Sequence, residues 1–130
     1  MLTLPPGVRV FVATERTDGR KGIDGLAAIV RSQLAEDPLS GSMYVFFTRR
    51  ADRVRVLYFD RDGYVLVTKR LEKGRYCPPW RSERGRVTVE AAELLLVLEG
   101  IDLEGSRRRE RWVPRSRQSR SDASTPAPSR

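Results

Sequence analysis

Two basic residues flanked by glycines, Arg20 and Lys21 in the stretch TDGRKGIDGL, are the first candidates for chemistry. A P-loop requires Gly-x-x-x-x-Gly-Lys-Ser/Thr, whereas here Lys21 precedes Gly22 and no hydroxyl residue follows it. The spacing therefore excludes a nucleoside-triphosphate loop of that kind. We expect Thr17 or Asp18 to cap a following helix, with the basic pair on its first turn. There the pair would be either solvated or in contact with a phosphate backbone.

A second group of basic residues surrounds the segments that the sequence predicts to be β-strands. Its members are Arg49, Arg50, Arg53, Arg55, Lys69, Arg70, Lys73 and Arg75. Alternate residues of a strand share a face, so Arg53 and Arg55 should lie together, and the segments near Arg49 and Lys69 can meet in a hairpin. This pattern predicts phosphate binding without distinguishing DNA from RNA.

Aromatic residues lie among these charges and could stack on nucleic-acid bases. They are Tyr58, Tyr64, Tyr76 and Trp80. Each is interpreted first as a core or rim residue of the sheet, because large aromatic side chains usually contribute buried area.

Three aspartates close in sequence, Asp52, Asp60 and Asp62, raise the alternative of a metal-dependent nuclease. The structural interpretation is preferred, since aspartate is common in turns, where its side chain bonds to nearby backbone. The chain contains no histidine, which removes the commonest general base and metal ligand, and its single Cys77 cannot form an internal disulfide. We therefore expect no catalytic residues, no bound metal and no cofactor.

The positive charge is unevenly distributed along the chain. Residues 49–86 contain 12 basic and 5 acidic side chains, residues 87–105 contain 5 acidic and no basic ones, and residues 106–130 contain 8 basic and 2 acidic ones. Such segregation favours an anionic partner, most often nucleic acid, over a uniformly solvated surface. No apolar run is long enough to cross a membrane, and we expect a soluble cytoplasmic protein.

The predicted elements form one α+β domain. The run VRVFVAT at 8–14 predicts a strand, and apolar residues at helical spacing (Ile23, Leu26, Ala27, Val30, Leu34) predict a helix. Runs at 43–48, 53–60 and 64–70, joined by short polar turns, predict an antiparallel meander.

The second half of the chain is more ambiguous. Residues 71–85 are irregular, RVTV at 86–89 is a further strand or an extended lead-in, and residues 90–101 predict a second helix. Its expected buried stripe is Leu94, Leu95, Leu98 and Ile101, with Gly100 ending the helix. The fold expected for residues 1–105 is an antiparallel sheet of three to five strands packed by two helices. Residues 106–130, rich in Arg, Ser and Pro, are expected to be a disordered tail.

Read in order, GVRVFVATERTDGRKGIDGLA, YVFFTRRADRVRVLYFDRDGYVLVTKRLEKGRY and LLLVLEGID resemble TnpB, the small accessory protein of bacterial insertion-sequence family sixty-six. That protein is distinct from the RNA-guided nuclease of the same name. The resemblance covers about residues 4–103. The positions that match are Asp18, Arg20, Lys21, Gly22, Gly25, Leu26, Arg50, Asp60, Gly63, Lys69, Arg70, Leu71, Glu72, Gly74, Arg75, Gly100, Ile101 and Asp102.

The resemblance implies a role in transposition beside a separate, larger transposase that carries the catalytic acids, and beside a second accessory protein of the same element. One departure is Gly19, where the family usually has methionine. Gly19 precedes Ile23 by four residues and so shares its helical face, and a glycine there should weaken the first turn by about 1 kcal/mol.

The function expected is therefore a non-catalytic transposition accessory protein that binds insertion-sequence DNA, or a transposase already on it, through Arg20, Lys21 and the basic hairpin. An alternative is a protein adaptor that docks the transposase through the acidic second helix or a sheet edge, without touching DNA. The least favoured alternative is the small nuclease built on the three aspartates.

Overall fold

The computed structural model describes residues 7–100 as a five-stranded sheet with one helix on each face. In chain order the elements are β1 (Val10–Ala13), α1 (Ile23–Ser32), β2 (Met43–Phe47), β3 (Arg53–Asp60), β4 (Gly63–Arg70), β5 (Arg86–Val89) and α2 (Ala91–Leu98). The sheet order is β4-β3-β2-β1-β5. The predicted α+β class and the β2–β3–β4 meander are confirmed, and the ambiguous RVTV run is an edge strand.

One pair of strands, β1 and β2, is parallel, with Val10 opposite Met43. The other pairs are antiparallel, so the sheet is mixed where the sequence predicted an antiparallel one. The reason is the helix between β1 and β2, because a crossover helix returns the chain to the end of the sheet at which β1 began. The carboxyl ends of β1 and β2 consequently lie side by side.

Helix α1 covers one face of the sheet through Leu26, Ala27, Ile29 and Val30, all buried. The predicted stripe is confirmed except at Ile23, which is only partly buried, and Ile29 is an additional core residue. β-Strand side chains that point to this face complete the core, among them Phe11, Ala13, Tyr44, Phe46 and Leu57.

Helix α2 covers the opposite face, where it buries Leu94, Val97 and Leu98. Leu94 and Leu98 were predicted to be buried, but Val97 takes the place predicted for Leu95, which is half-buried. The predicted core residue Ile101 lies outside the described residues. The α2 start is stabilised by a capping box, in which the side chains of Glu90 and Glu93 accept hydrogen bonds from each other's backbone N–H. Gly100 follows the helix with a φ of 87°, as predicted for its end.

The predicted cap of α1 is wrong. The helix begins at Ile23, its N-cap is Gly22, and no side chain caps it. Thr17 lies instead in an isolated parallel bridge with Thr48, so a long-range backbone contact keeps residues 17–22 out of the helix. Arg20 and Lys21 therefore lie in a loop before the helix and not on its first turn.

The predicted tail, residues 106–130, lies outside the described residues. Among residues 7–100, no helix combines the length and the apolar composition needed to cross a membrane.

Candidate functional site

All ten predicted binding residues lie at one end of the sheet, where β1 and β2 finish. Three connectors meet there, residues 14–22, 48–52 and 71–85, because the register places Ala13 opposite Arg86, Phe47 opposite Val54, and Arg53 opposite Arg70. We call residues 14–22, 48–55 and 69–86 the basic end. It contains 14 Lys and Arg against 5 Asp and Glu. The rest of residues 7–100 contains 3 basic and 8 acidic residues, so the fold separates charge by position.

Backbone hydrogen bonds join these connectors to one another. They run from Arg49 N–H to the Thr17 carbonyl (3.1 Å), from Leu71 N–H to the Asp52 carbonyl (2.7 Å), from Tyr76 N–H to the Ala51 carbonyl (2.7 Å) and from Thr14 N–H to the Gly85 carbonyl (3.0 Å). Because each bond links segments distant in sequence, the basic end is a single structural unit.

Arg55 attaches the loop that contains the basic pair to the sheet. Its Nη1 donates to the Lys21 carbonyl and, at 3.4 Å, to the Gly19 carbonyl, while its Nε donates to Thr68 Oγ1 at 3.3 Å. Burial, and secondarily the neighbouring charge of Arg53, lowers the pKa of Arg55 below its usual value. Arg55 thus acts mainly by positioning the loop, since these contacts use most of its donor groups.

Arg53 and Arg70 lie directly opposite each other on β3 and β4, on the face of the sheet that α1 covers. Like charges placed opposite each other across two strands are destabilising. The buried Nε of Arg53 has no hydrogen-bond partner among the described residues. Arg70 forms one exposed ion pair, with Glu72 at 3.1 Å, and such pairs contribute little. This face therefore holds positive charge that the described residues hardly compensate.

The two members of the predicted basic pair differ. Arg20 forms an ion pair with Asp18 at 2.9 Å, and its backbone N–H also donates to that carboxylate. These hydrogen bonds hold the pKa of Asp18 well below its usual range, and Asp18 raises that of Arg20. Arg49 lies within 4.0 Å of the same carboxylate. Lys21 is exposed and no acidic side chain in residues 7–100 pairs with it, so it is the freer cation.

The basic end has two faces, and the predicted residues divide between them. Arg53, Arg55 and Arg70 share the α1 face, whereas Lys69, one residue along β4, points to the α2 face. Lys73 and Arg75 lie in the 71–85 connector, which packs its aromatic residues against the α2-side core. The turn residues Arg49 and Arg50 are exposed between the two faces.

The predicted aromatic residues are structural, as the preferred interpretation held. Tyr76 is 2% exposed, and Tyr58 and Trp80 pack against the same α2-side core. Tyr64 packs on the α1 side and meets the ring of Phe59 edge-on, with centroids 5.3 Å apart. All four rings therefore contribute to the sheet core, although Tyr58, Tyr64 and Trp80 are only partly buried.

Four further basic residues of the basic end were not among the predicted binding residues: Arg16, Arg81, Arg84 and Arg86. Arg16 and Arg84 line a cleft of about 340 Å³ beside α1, together with Glu15 and Glu83, so both charge signs are present in it. Arg86 pairs with Glu36 at 2.9 Å and its guanidinium lies over the ring of Phe11, at 5.8 Å from the centroid. The excess of basic residues over 49–86 was the available signal for Arg84 and Arg86.

The three aspartates of the nuclease alternative are not brought together. Asp52 precedes β3 at the basic end, whereas Asp60 and Asp62 flank the turn at the other end of that eight-residue strand. At about 3.3 Å per residue, β3 separates them by roughly 23 Å, far beyond the spacing of ligands to shared metal ions. No group of three or more potential metal ligands occurs among residues 7–100.

The effect predicted for Gly19 is also wrong, because this residue lies in the loop before α1 and not in its first turn. A Cβ atom at position 19 would lie 3.4 Å from Thr48 Cγ2 and 3.7 Å from Arg53 Nη1, which are ordinary contact distances. A larger side chain there would rest on the Arg53 guanidinium. The glycine thus leaves that group more open.

Comparisons with known proteins agree with the resemblance noted in the sequence. The family described as "IS66 Orf2 like protein" matches residues 8–108. The chain is 40% identical over 97 residues to the uncharacterized protein y4jC of Sinorhizobium fredii (strain NBRC 101917 / NGR234), which covers 74% of this chain and 81% of that one. It is 39% identical over 113 residues to the uncharacterized protein y4hO of the same strain, covering 85% of this chain and 96% of that one. No solved structure matches the chain significantly. The match over residues 8–108 shows that the chain belongs to the IS66 Orf2-like family and is an insertion-sequence-associated protein.

Proposed function

We propose that the protein is a non-catalytic accessory factor for transposition that binds the DNA of its insertion sequence, alone or in complex with the transposase, through the basic end. The observation that carries this proposal is the gathering of 14 Lys and Arg residues at one end of the sheet, from three segments separated in sequence. We also propose the element's transposase and second accessory protein as partners, and the cytoplasm as the compartment.

Duplex DNA suits this surface because its phosphates form a dense line of negative charge, about one per 1.7 Å of helix axis. The cations without an acidic partner among residues 7–100 include Lys21, Arg50 and Arg75, which are exposed on the loops. They are the proposed phosphate contacts, together with Arg53 and Arg70 on the α1 face. Arg55 would contribute by holding the loop of Lys21 in place.

This arrangement favours affinity over sequence recognition. Contacts to phosphates fix position on the duplex but do not read bases. No helix among residues 7–100 projects from the fold at the basic end, since α1 packs on the sheet through four buried residues. Specificity for insertion-sequence ends would then come from the transposase.

A fluorescence anisotropy titration of labelled element-end duplex tests the proposal. With about five phosphate contacts, the association constant should fall roughly 500-fold between 50 and 200 mM salt. Scrambled duplex should bind with similar affinity. Absence of binding at 50 mM salt, or affinity that salt leaves unchanged, would contradict direct DNA contact.

A protein adaptor is the second candidate, and the surface of α2 supports it. Leu96 is 41% exposed on this helix, and two acidic residues lie at its start, Glu90 as the N-cap and Glu93 in the first turn. An exposed leucine beside acidic residues suits a basic protein partner. If Leu96→Lys abolishes co-purification with the transposase, while Arg50→Ala and Arg70→Ala leave DNA affinity unchanged, the adaptor function is correct and the DNA function is not.

A further inference from the structure

The two edges of the sheet differ in length and protection. β5 is a four-residue edge, whereas β4 is an eight-residue edge that extends over the whole length of β3. On an antiparallel edge strand, alternate residues direct N–H and C=O groups outward. No residue within 7–100 pairs with the outer edge of β4.

The usual means of protecting an edge strand are missing from most of β4. The strand contains no proline, and its register with β3 runs without a bulge from Arg70 opposite Arg53 to Gly63 opposite Asp60. Residues 64–67 read Tyr-Val-Leu-Val and are only partly buried. Charged residues occur only at its carboxyl end, as Lys69 and Arg70. Such an edge is suited to pairing with another strand.

The charges at the two ends of β4 indicate which strand would pair with its free edge. Asp62 lies in the turn directly before β4, next to Asp60 at the end of β3, whereas the last two residues of β4 are Lys69 and Arg70. An antiparallel copy of the same strand would bring each acidic end against a basic end. A parallel copy would place like charges together. β4 is thus complementary to itself in the antiparallel direction.

We propose that β4 pairs antiparallel with β4 of a second copy of this chain, forming a continuous ten-stranded sheet. The symmetry axis of such a pair is normal to the sheet, so residues that lie opposite each other must have side chains on the same face. This condition is met when Leu66 lies opposite Leu66 of the second copy. In that register Asp62 lies opposite Arg70 of the second copy. This proposal does not rest on DNA binding, although it shares Arg70 with the proposed phosphate contacts.

The arrangement has a geometric consequence. Because the paired strands run in opposite directions, the two basic ends of the dimer lie at opposite ends of the joined sheet, with both α1 helices on one face. Arg70 would lie at the boundary between the dimer contact and the basic end.

Disulfide trapping tests both pairing and register in the full chain, with Cys77→Ser as background to remove the single native cysteine. Leu66→Cys places the thiol on the symmetry axis, so mild oxidation should convert most of the protein to a covalent dimer. Thr68→Cys is the matched control, since the proposed register separates its two copies by roughly 14 Å, too far for a disulfide. Equal trapping of both variants, or of neither, would overturn the proposed register.

Analytical ultracentrifugation of charge variants tests complementarity without cysteines. Arg70→Asp and Asp62→Arg should each weaken dimerisation about tenfold, because two symmetric contacts become repulsive, and combining them should restore it to within about threefold. Arg9→Asp has the same charge change far from β4 and should leave the dimer intact. The proposal would be overturned if the protein stays monomeric at about 100 micromolar, or if the double variant fails to recover dimerisation. It would also be overturned if residues 101–130 of the same chain occupy the β4 edge.

Discussion

The basic end and the rest of the fold differ in charge and in how charge is compensated. At the basic end, like charges share a strand face and Lys21 and Arg50 have no acidic partner among residues 7–100, although 5 acidic residues lie nearby. In the rest, 8 acidic residues outnumber 3 basic ones. Strand direction produces this difference, since the basic connectors follow β1, β2 and β4. The comparison shows that a modest net charge can conceal a strongly polarised surface.

Repulsion within the basic end is a cost that folding alone does not explain. Arg53 and Arg70 face each other, and burial with the charge of Arg53 lowers the pKa of Arg55. Such uncompensated clusters are often retained at binding sites, where a ligand supplies the missing charge. If DNA supplies the missing negative charge, charge substitutions at the basic end should change DNA affinity more than equal substitutions elsewhere in the fold.

The largest effect is expected from reversing two free cations of the basic end. Lys21→Glu combined with Arg50→Glu should reduce the steepness of the plot of log association constant against log salt by about 2. This corresponds to roughly 60-fold weaker binding at 0.1 M salt. The matched control is Arg9→Glu with Arg61→Glu, which has the same charge change outside the basic end. Anisotropy titrations at four salt concentrations measure both. Equal losses in the two double variants would mean that only net charge matters.

A smaller loss is expected when the loop is released from the sheet. Arg55→Ala removes the donors to the Lys21 and Gly19 carbonyls, and should lower the free energy of unfolding by about 1 kcal/mol and DNA affinity by roughly tenfold. Urea unfolding and anisotropy measure the two effects.

Arg55→Lys keeps the charge but lacks the planar fork, and is therefore the control for geometry. It should recover less than half of the lost affinity if positioning matters. Full recovery by lysine would show that Arg55 acts through its charge alone.

A gain of affinity is expected when Asp18 is neutralised. Asp18→Asn removes the acid that pairs with Arg20 and approaches Arg49, so both cations become available to phosphates, and affinity should rise about fivefold at 0.1 M salt. Glu83→Gln changes charge equally within the basic end, but no ion pair of Glu83 occurs in the described residues. A similar gain in both variants would contradict a specific role of Asp18.

The smallest effect is expected from pH. The chain has no histidine, and the hydrogen bonds from Arg20 keep the pKa of Asp18 far below this range, so its carboxylate is ionised throughout pH 5.5 to 7. A depressed acid contributes stability above its unfolded pKa and loses it only as pH falls through the folded value. DNA affinity measured at pH 5.5 and 7 should agree within about twofold. A larger change would indicate that a group outside the proposed contacts controls binding.

Local sequence patterns predicted the elements well, because alternation and helical spacing follow from which side chains must be buried. The α1 residues Leu26 and Val30 and the meander are examples. The start of α1 was not predictable in this way. Thr17 has the chemistry of a cap, but its bridge to Thr48, 31 positions away in the chain, decides its conformation.

The candidate site shows the same division between local and long-range information. Charge blocks along the chain predicted which segments would be basic, but not that Lys69 and Arg70 would point to opposite faces of the sheet. The pairing of Arg20 with Asp18 was also missed, since it depends on a loop that was expected to be helical. The parallel β1–β2 pair, which brings the 14–22 connector beside the 48–52 turn, follows from the crossover helix.

The hydrogen bonds between the three connectors also determine how this region should open and close. The amides of Arg49, Leu71 and Tyr76 lie outside regular strands, yet each donates to a carbonyl of another segment. Exchange of these protons with solvent requires the connectors to separate, and not merely one loop to fluctuate. They should therefore exchange together, on a timescale closer to that of the sheet than to that of an ordinary surface loop. Deuterium uptake at these amides would report the cooperative opening of the whole basic end.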